Sequence, residues 1–201
     1  MQFKSLFYFT SFATLALSSS VDDVLRDLAL IKTASDNLNT AITAFPTIPL
    51  ITSLGAALVG FNLYLAFSGV VAYRSQAIHS TAVSTVTTLN ATAGDAQTVP
   101  IPISVEDGTR VLDAIDGMKS SVEAALVALT GKRNSFLGFL NFIPGLANLN
   151  PVRQDLINLN SSTVTLGNIL FSMAPTELQP RASATRSEIF NAFATAIAAF
   201  S

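Results

Sequence analysis

The chain has 201 residues, half of them hydrophobic and 12% charged, with a net charge of −2 at pH 7. That length fits one domain with a sizeable core, and the composition excludes both a disordered chain and an electrostatic binder of nucleic acid. With no cysteine, no tryptophan and one histidine, His79, disulfide frameworks, thiolate nucleophiles and HExxH or cysteine zinc sites are excluded too, so neither cofactor nor metal is expected.

Residues 1–20 read as a secretory signal peptide. Lys4 is the only charge, an apolar stretch runs from Leu6 to Leu17, and three serines follow, with cleavage after Ser18 or Ser20. Residues 21–201 then form a single helical-bundle domain, extracellular or secreted. Two N-x-[ST] sequons begin at Asn90 and Asn160. Asn90 is expected near a loop, where a glycan fits, whereas Asn160 falls inside a helical pattern.

Segment 21–45 carries Val24, Leu28, Ile31, Leu38, Ile42 and Phe45 on one helix face, with Asp22, Asp23 and Asp27 in its first turns, where the helix dipole favours acids. Phe45-Pro46 ends it. Segment 50–89 reads as a long, central apolar helix with Ile51, Leu54, Leu58, Phe61, Leu65, Ala72, His79, Val83 and Val86 on its stripe. Gly94, Pro100 and Pro102 mark the next loop. Segment 104–131 opens on Ser104, three residues before Asp107, as in a capping arrangement with Asp for Glu. Leu112, Ile115, Val122, Leu126 and Leu129 form its stripe, and Gly131 stands where a C-cap glycine does. Segment 151–173 opens on Asn150 and Pro151 and aligns Leu156, Leu159, Leu166, Leu170 and Met173. Pro175 and Pro180 interrupt, and 181–200 aligns Ile189, Phe193, Ile197 and Phe200. No stretch alternates like a strand, so the expected fold is all-α, a bundle of about five amphipathic helices.

Two segments exceed the apolarity of a plain bundle. Residues 50–73 are uncharged for 24 positions, long enough to cross a bilayer, so a single-span membrane protein is one alternative. Against it, Asn62 falls mid-span and the apolar stripe continues past Arg74. In residues 136–146, Phe136, Phe139 and Phe142 recur every third position, while Gly138, Pro144 and Gly145 prevent a long helix. This reads either as a short helix capping the bundle end or as an apolar lid or adsorption patch.

No nucleophile elbow, P-loop or dinucleotide fingerprint is present, and no catalytic residue is assigned. His79, on the stripe, reads as a packed or hydrogen-bonded histidine. Asp113, Asp116 and Glu123 read as a solvated acidic face. Lys132-Arg133 suits a helix C-terminus, where the dipole favours cations, although a secretory protease also reads such pairs.

The order of these features carries a resemblance. A signal peptide precedes the run from Val21 to Leu28. A small-residue-rich second helix leads to Thr81, Thr85 and Thr88. Then come Leu112-x-x-Ile115, Val122, Leu126 and Leu129, a basic pair, an apolar segment and two further amphipathic helices. This pattern resembles the fungal hydrophobic surface-binding protein A family, also described as cell-wall galactomannoproteins. The resemblance implies a secreted, non-enzymatic helical bundle that contacts the cell wall, hydrophobic surfaces or lipids, with cell-wall polysaccharide as a further partner. It supplies no site motif.

Between helices free of disulfides, an apolar channel could hold a lipid chain, each buried CH₂ contributing about 0.8 kcal/mol. The 136–146 segment could instead lie on an apolar solid or a membrane interface. Phe61, Leu65, Phe139, Phe142, Phe193 and Ile197 are the candidate contacts, chosen for apolar bulk at helical spacing. A structural wall glycoprotein without ligand is the remaining alternative.

Overall fold

The computed structural model describes residues 19–46, 61–140 and 150–201, with side chains described over 19–46, 74–137 and 151–201. Residues 1–18 of the expected signal peptide, residues 50–60 of the apolar segment and Phe142 lie outside it.

Helix α1 (Val21–Thr43) starts on a reciprocal cap. The Ser20 hydroxyl accepts the Asp23 N–H at 3.2 Å, and the Asp23 carboxylate accepts the Ser20 N–H at 3.0 Å, so two donors that a helix start leaves orphaned are satisfied. Its apolar stripe is buried at every expected position from Val24 to Phe45.

Helix α2 (Phe61–Thr98) is the longest element, at 38 residues, or about 57 Å by the α-helical rise. It runs straight through Gly94, which was expected to mark a loop. That glycine is exposed on a helix whose Ala93 and Ala96 are buried, and their packing outweighs the roughly 1 kcal/mol that glycine costs in a helix. Asn90 is therefore an exposed helical residue, not a loop residue. The buried face of α2 is also displaced from the expected stripe: Ile78, Ala82, Thr85, Leu89, Thr92, Ala93 and Ala96 face inward, while Val83 is 49% exposed.

Helix α3 (Val105–Gly131) begins at Ser104, which accepts the Asp107 N–H at 3.0 Å and donates its own hydroxyl to the Asp107 carboxylate at 2.9 Å. Gly131 is its last helical residue and Lys132 its C-cap. Helix α4 (Arg133–Leu140) is short. Helix α5 (Asn150–Met173) leads through a 3₁₀ turn (Thr176–Leu178) to α6 (Gln179–Ala199). Pro180, expected to interrupt, instead occupies the first turn of α6, where a missing N–H costs nothing.

Five helices close into a ring. α1 packs on α2 and α3, α3 on α6, α6 on α5, and α5 on α2. Directions follow from contacts at the ends. Ser19 donates from its backbone N–H to Thr98 at 3.1 Å, so α1 and α2 are antiparallel. Arg110 pairs with Asp22 at 2.6 Å at one end, and Lys132 donates to the Phe45 carbonyl at the other, so α1 and α3 are parallel. Arg181 with Asp113 and Arg133 with the Ala199 carbonyl make α6 parallel to α3. Residues 132–133 thus tie together three helix C-termini, the dipole-favoured placement expected for the basic pair. Phe136 of α4 stacks between Phe45 (ring centroids 4.3 Å apart) and Phe200 (6.3 Å), and is buried, closing this end of the ring.

Gly108 is needed where the 3₁₀ turn crosses α3. A Cβ there would sit 2.8 Å from the Pro175 ring and 2.9 Å from Leu178, closer than side chains pack.

Candidate functional site: the central cavity

A ring of five helices cannot fill its own centre. At a neighbour spacing of about 9 Å, regular five-fold geometry places each axis roughly 8 Å from the middle. Side chains reach about 5–6 Å from each helix axis, which leaves a channel roughly 2–3 Å in radius, the width of an alkyl chain. The structure holds a cavity of about 420 Å³ there, within the range of small-molecule sites. All five ring helices border it. Among the residues with described side chains, α1 and α2 do so over residues 31–45 and 75–89, whereas α3, α5 and α6 do so along most of their lengths.

The wall is built from the stripes described above. Leu38, Ile42, Val111, Met118, Leu126, Leu159, Leu166, Leu170 and Ile189 are buried and face the cavity. Ala82, Ala125, Ala182 and Gly167 keep its surface recessed. Two threonine hydroxyls on the wall are already engaged: Thr85 donates to the Thr81 carbonyl at 2.8 Å, and Thr185 to Asp116 at 2.9 Å. An alkyl chain therefore meets few groups that need water.

Among the described residues, three side chains of the lining can carry charge. His79 of α2 and Asp155 of α5 pair across the helices, Nδ1 to carboxylate, at 2.9 Å. His79 is thus the hydrogen-bonded histidine expected, at a half-exposed rim. Arg186 of α6 lies at a different point. Its guanidinium sits 4.4 Å above the Phe171 ring, and one N–H reaches the Asn168 side-chain oxygen at 3.2 Å. Asp155 and Asn168 are 13 positions apart on α5, so the two charged points are separated by about 20 Å along the bundle.

Outside the cavity, two carboxylates are perturbed in opposite directions. Burial opposes ionisation of Asp116, but Arg181 (2.6 Å) and the Thr185 hydroxyl together hold it below the usual carboxylate value. What read as a solvated acidic face is a fork: Arg181 clamps Asp113 and Asp116 and welds α3 to α6. Asp27 is buried near Asp95. Desolvation and the neighbouring carboxyl push it up, and Arg26 only partly offsets them.

Of the six candidate contacts, Phe193 is buried and lines the cavity. Ile197 is half-buried against the core and does not border the cavity. Phe61 and Leu65 belong to α2 and Phe139 to α4, but their side chains, like Phe142, lie outside the described residues. Asn160 is half-buried on α5. Sequence reasoning missed Asp155 and Arg186. Both occupy apolar register, Arg186 falling between Ala182 and Ile189 on the inward stripe of α6. A charge at an inward position was the available signal.

Fold and site together define an all-α bundle built around a central apolar cavity. The chain belongs to the hydrophobic surface binding protein A family, whose family model matches residues 21–172. Solved structures share the fold. A crystal structure of AFMP4P in complex with palmitic acid is 22% identical, covers 90% of this chain and 99% of its own, and superposes with a TM-score of 0.68. Ligand binding domain 1 of the Penicillium marneffei MP1 protein, complexed with arachidonic acids, is 18% identical with a TM-score of 0.60 over 90% of this chain and 97% of its own. Domain 2 of the same protein, complexed with multiple arachidonic acids, is 14% identical with a TM-score of 0.57 over 90% and 93%. No curated protein sequence matches the chain. Among the described residues, no helix is long and apolar enough to cross a membrane.

Proposed function

We propose that this protein is a secreted, non-enzymatic carrier of single-chain lipids, with long-chain fatty acids as the ligand class. The observation that carries the reading is the 420 Å³ apolar cavity lined by a ring of five helices. About fourteen buried methylenes supply roughly 11 kcal/mol of gross transfer energy, enough to outweigh typical association costs without any catalytic group. The palmitic and arachidonic acids named for the structural neighbours support the same class. Secretion rests on residues 1–20 and is consistent with the exposed sequon at Asn90, which a glycan can reach; a mobility shift on deglycosylation of protein from a eukaryotic host tests it.

Adsorption to apolar surfaces remains the second activity implied by the family description. Phe136, part of the segment that read either as a short helix capping the bundle end or as an adsorption patch, is turned into the core, so the inward cavity is the better supported site.

The test is native mass spectrometry of delipidated protein mixed with palmitate. A discrete one-to-one adduct is expected. A protein that stays ligand-free at saturating palmitate contradicts the reading.

A further inference from the structure

We propose that Arg186 receives the acidic head of the bound lipid. The fatty acid then lies with its carboxylate at the α5–α6 rim and its tail toward the phenylalanines that close the opposite end. This inference rests on the lipid-binding reading above and gives that site a polarity.

The argument is electrostatic. An apolar cavity selects for chain but not for direction; direction must come from charge on the wall. The charged lining groups among the described residues are His79, Asp155 and Arg186. Asp155 and His79 satisfy each other, and the Asp155 carboxylate disfavours a second anion beside it. Arg186 is different. Among the described residues no carboxylate lies within ion-pair range of it, whereas Arg26, Arg110 and Arg181 each hold two aspartates. Its only polar contact there is the neutral Asn168 oxygen, which spends one of five N–H donors.

Geometry adds pre-organisation. Phe171 supports the guanidinium face at 4.4 Å and leaves its N–H edges free, the arrangement in which arginine takes a carboxylate with two parallel hydrogen bonds. Gly167, on the cavity wall, places the Arg186 stem and the Phe190 ring side by side: a Cβ at that position would stand in ordinary van der Waals contact with both, at 3.7 and 3.4 Å. From Arg186, the wall runs through Phe190 and Phe193 of α6 toward Phe136 and Phe45. The roughly 20 Å between the two charged points is on the order of the length of an extended sixteen-carbon chain.

The experiment measures equilibrium partition of radiolabelled palmitate and hexadecanol, equal in chain length and different in head, into the delipidated full chain and its Arg186→Gln and Arg186→Lys variants. Circular dichroism checks helix content. Arg186→Gln is expected to weaken palmitate about tenfold and to leave hexadecanol within about twofold. Arg186→Lys is expected to recover part of the loss, since it keeps the charge without the fork. Equal loss of both probes assigns Arg186 to packing alone and overturns the proposal, as does loss of neither. If Arg186→Gln loses helix content, the wild type decides: raised salt weakens palmitate but not hexadecanol if a cation holds the head, and identical salt responses overturn the proposal. A wild type that binds neither probe overturns the lipid reading itself; one that binds both, with no acid-specific loss, overturns only the role of Arg186.

Discussion

At the end of the bundle where α1 starts, Val24 and Leu28 are 0% and 1% exposed, and α2 presents Thr92, Ala93, Ala96 and Val99. None of these side chains borders the cavity. Further along the same two helices, Ile31, Leu38, Ile42 and Phe45 on α1, with Ile78, Ala82, Thr85 and Leu89 on α2, all do. The two regions are equally apolar, so hydrophobicity does not distinguish them. Where Val24 and Leu28 lie opposite Thr92, Ala93 and Ala96, the side chains are buried and the core is filled. Where Ile31 to Phe45 and Ile78 to Leu89 face the centre of the five-helix ring, a void is left. A hole of this kind follows from the number of helices in the ring.

Breaking the filled region has the largest expected effect. Leu28→Ala is expected to cost about 3 kcal/mol in urea denaturation, with palmitate affinity unchanged while the protein stays folded; a drop in affinity as large as that in stability would mean the two regions are not separable. Gly108→Ala is expected to cost about 2 kcal/mol, because the Pro175 ring cannot yield to a new methyl group; an unchanged midpoint would show that the 3₁₀ turn gives way freely.

The perturbed carboxylates sharpen the comparison through pH. Asp116 has a lowered folded value, so its contribution is fully present above its ordinary 3.8 and is lost as pH falls through the folded value. Arg181→Met is expected to remove that acid-side slope at a cost within about 1 kcal/mol at pH 7, since the pair is partly exposed. Asp27 has the opposite sign. Its folded value is raised, so it favours folding below 3.8 and loses that contribution as pH rises through the folded value. Asp27→Asn is expected to raise the melting temperature slightly at pH 7 and to leave it unchanged near pH 3, which parallel thermal scans would show.

The stripes of α1 and α5 were legible because bulky residues alone define them: Val24 through Phe45, and Leu156 through Met173, are buried as their spacing predicts. α2 was harder. Its inward face is largely Ala and Thr, residues that a count of bulky apolar side chains passes over, so Val83 was placed inside and Ala82 was not. The candidate site follows the same division. Phe193, chosen for bulk and spacing, lines the cavity. Asp155 and Arg186 were not chosen, because a charge on an inward stripe gains meaning only once the ring brings α2, α5 and α6 around one void. Ring closure itself depends on which helices pair, and spacing within a single helix carries no information about its neighbours.

The most direct test of the cavity fills it. Ala125 is buried on α3 and lines the void, so Ala125→Phe places a ring where the lipid chain would lie. With palmitate at about a hundred times its dissociation constant, the wild type gains about 2.7 kcal/mol, a rise in melting temperature of roughly 5–10 °C for a domain of this size. Ala125→Phe, similar to the wild type in stability without lipid, is expected to show no rise. Equal shifts in both proteins would place the ligand elsewhere and contradict the account.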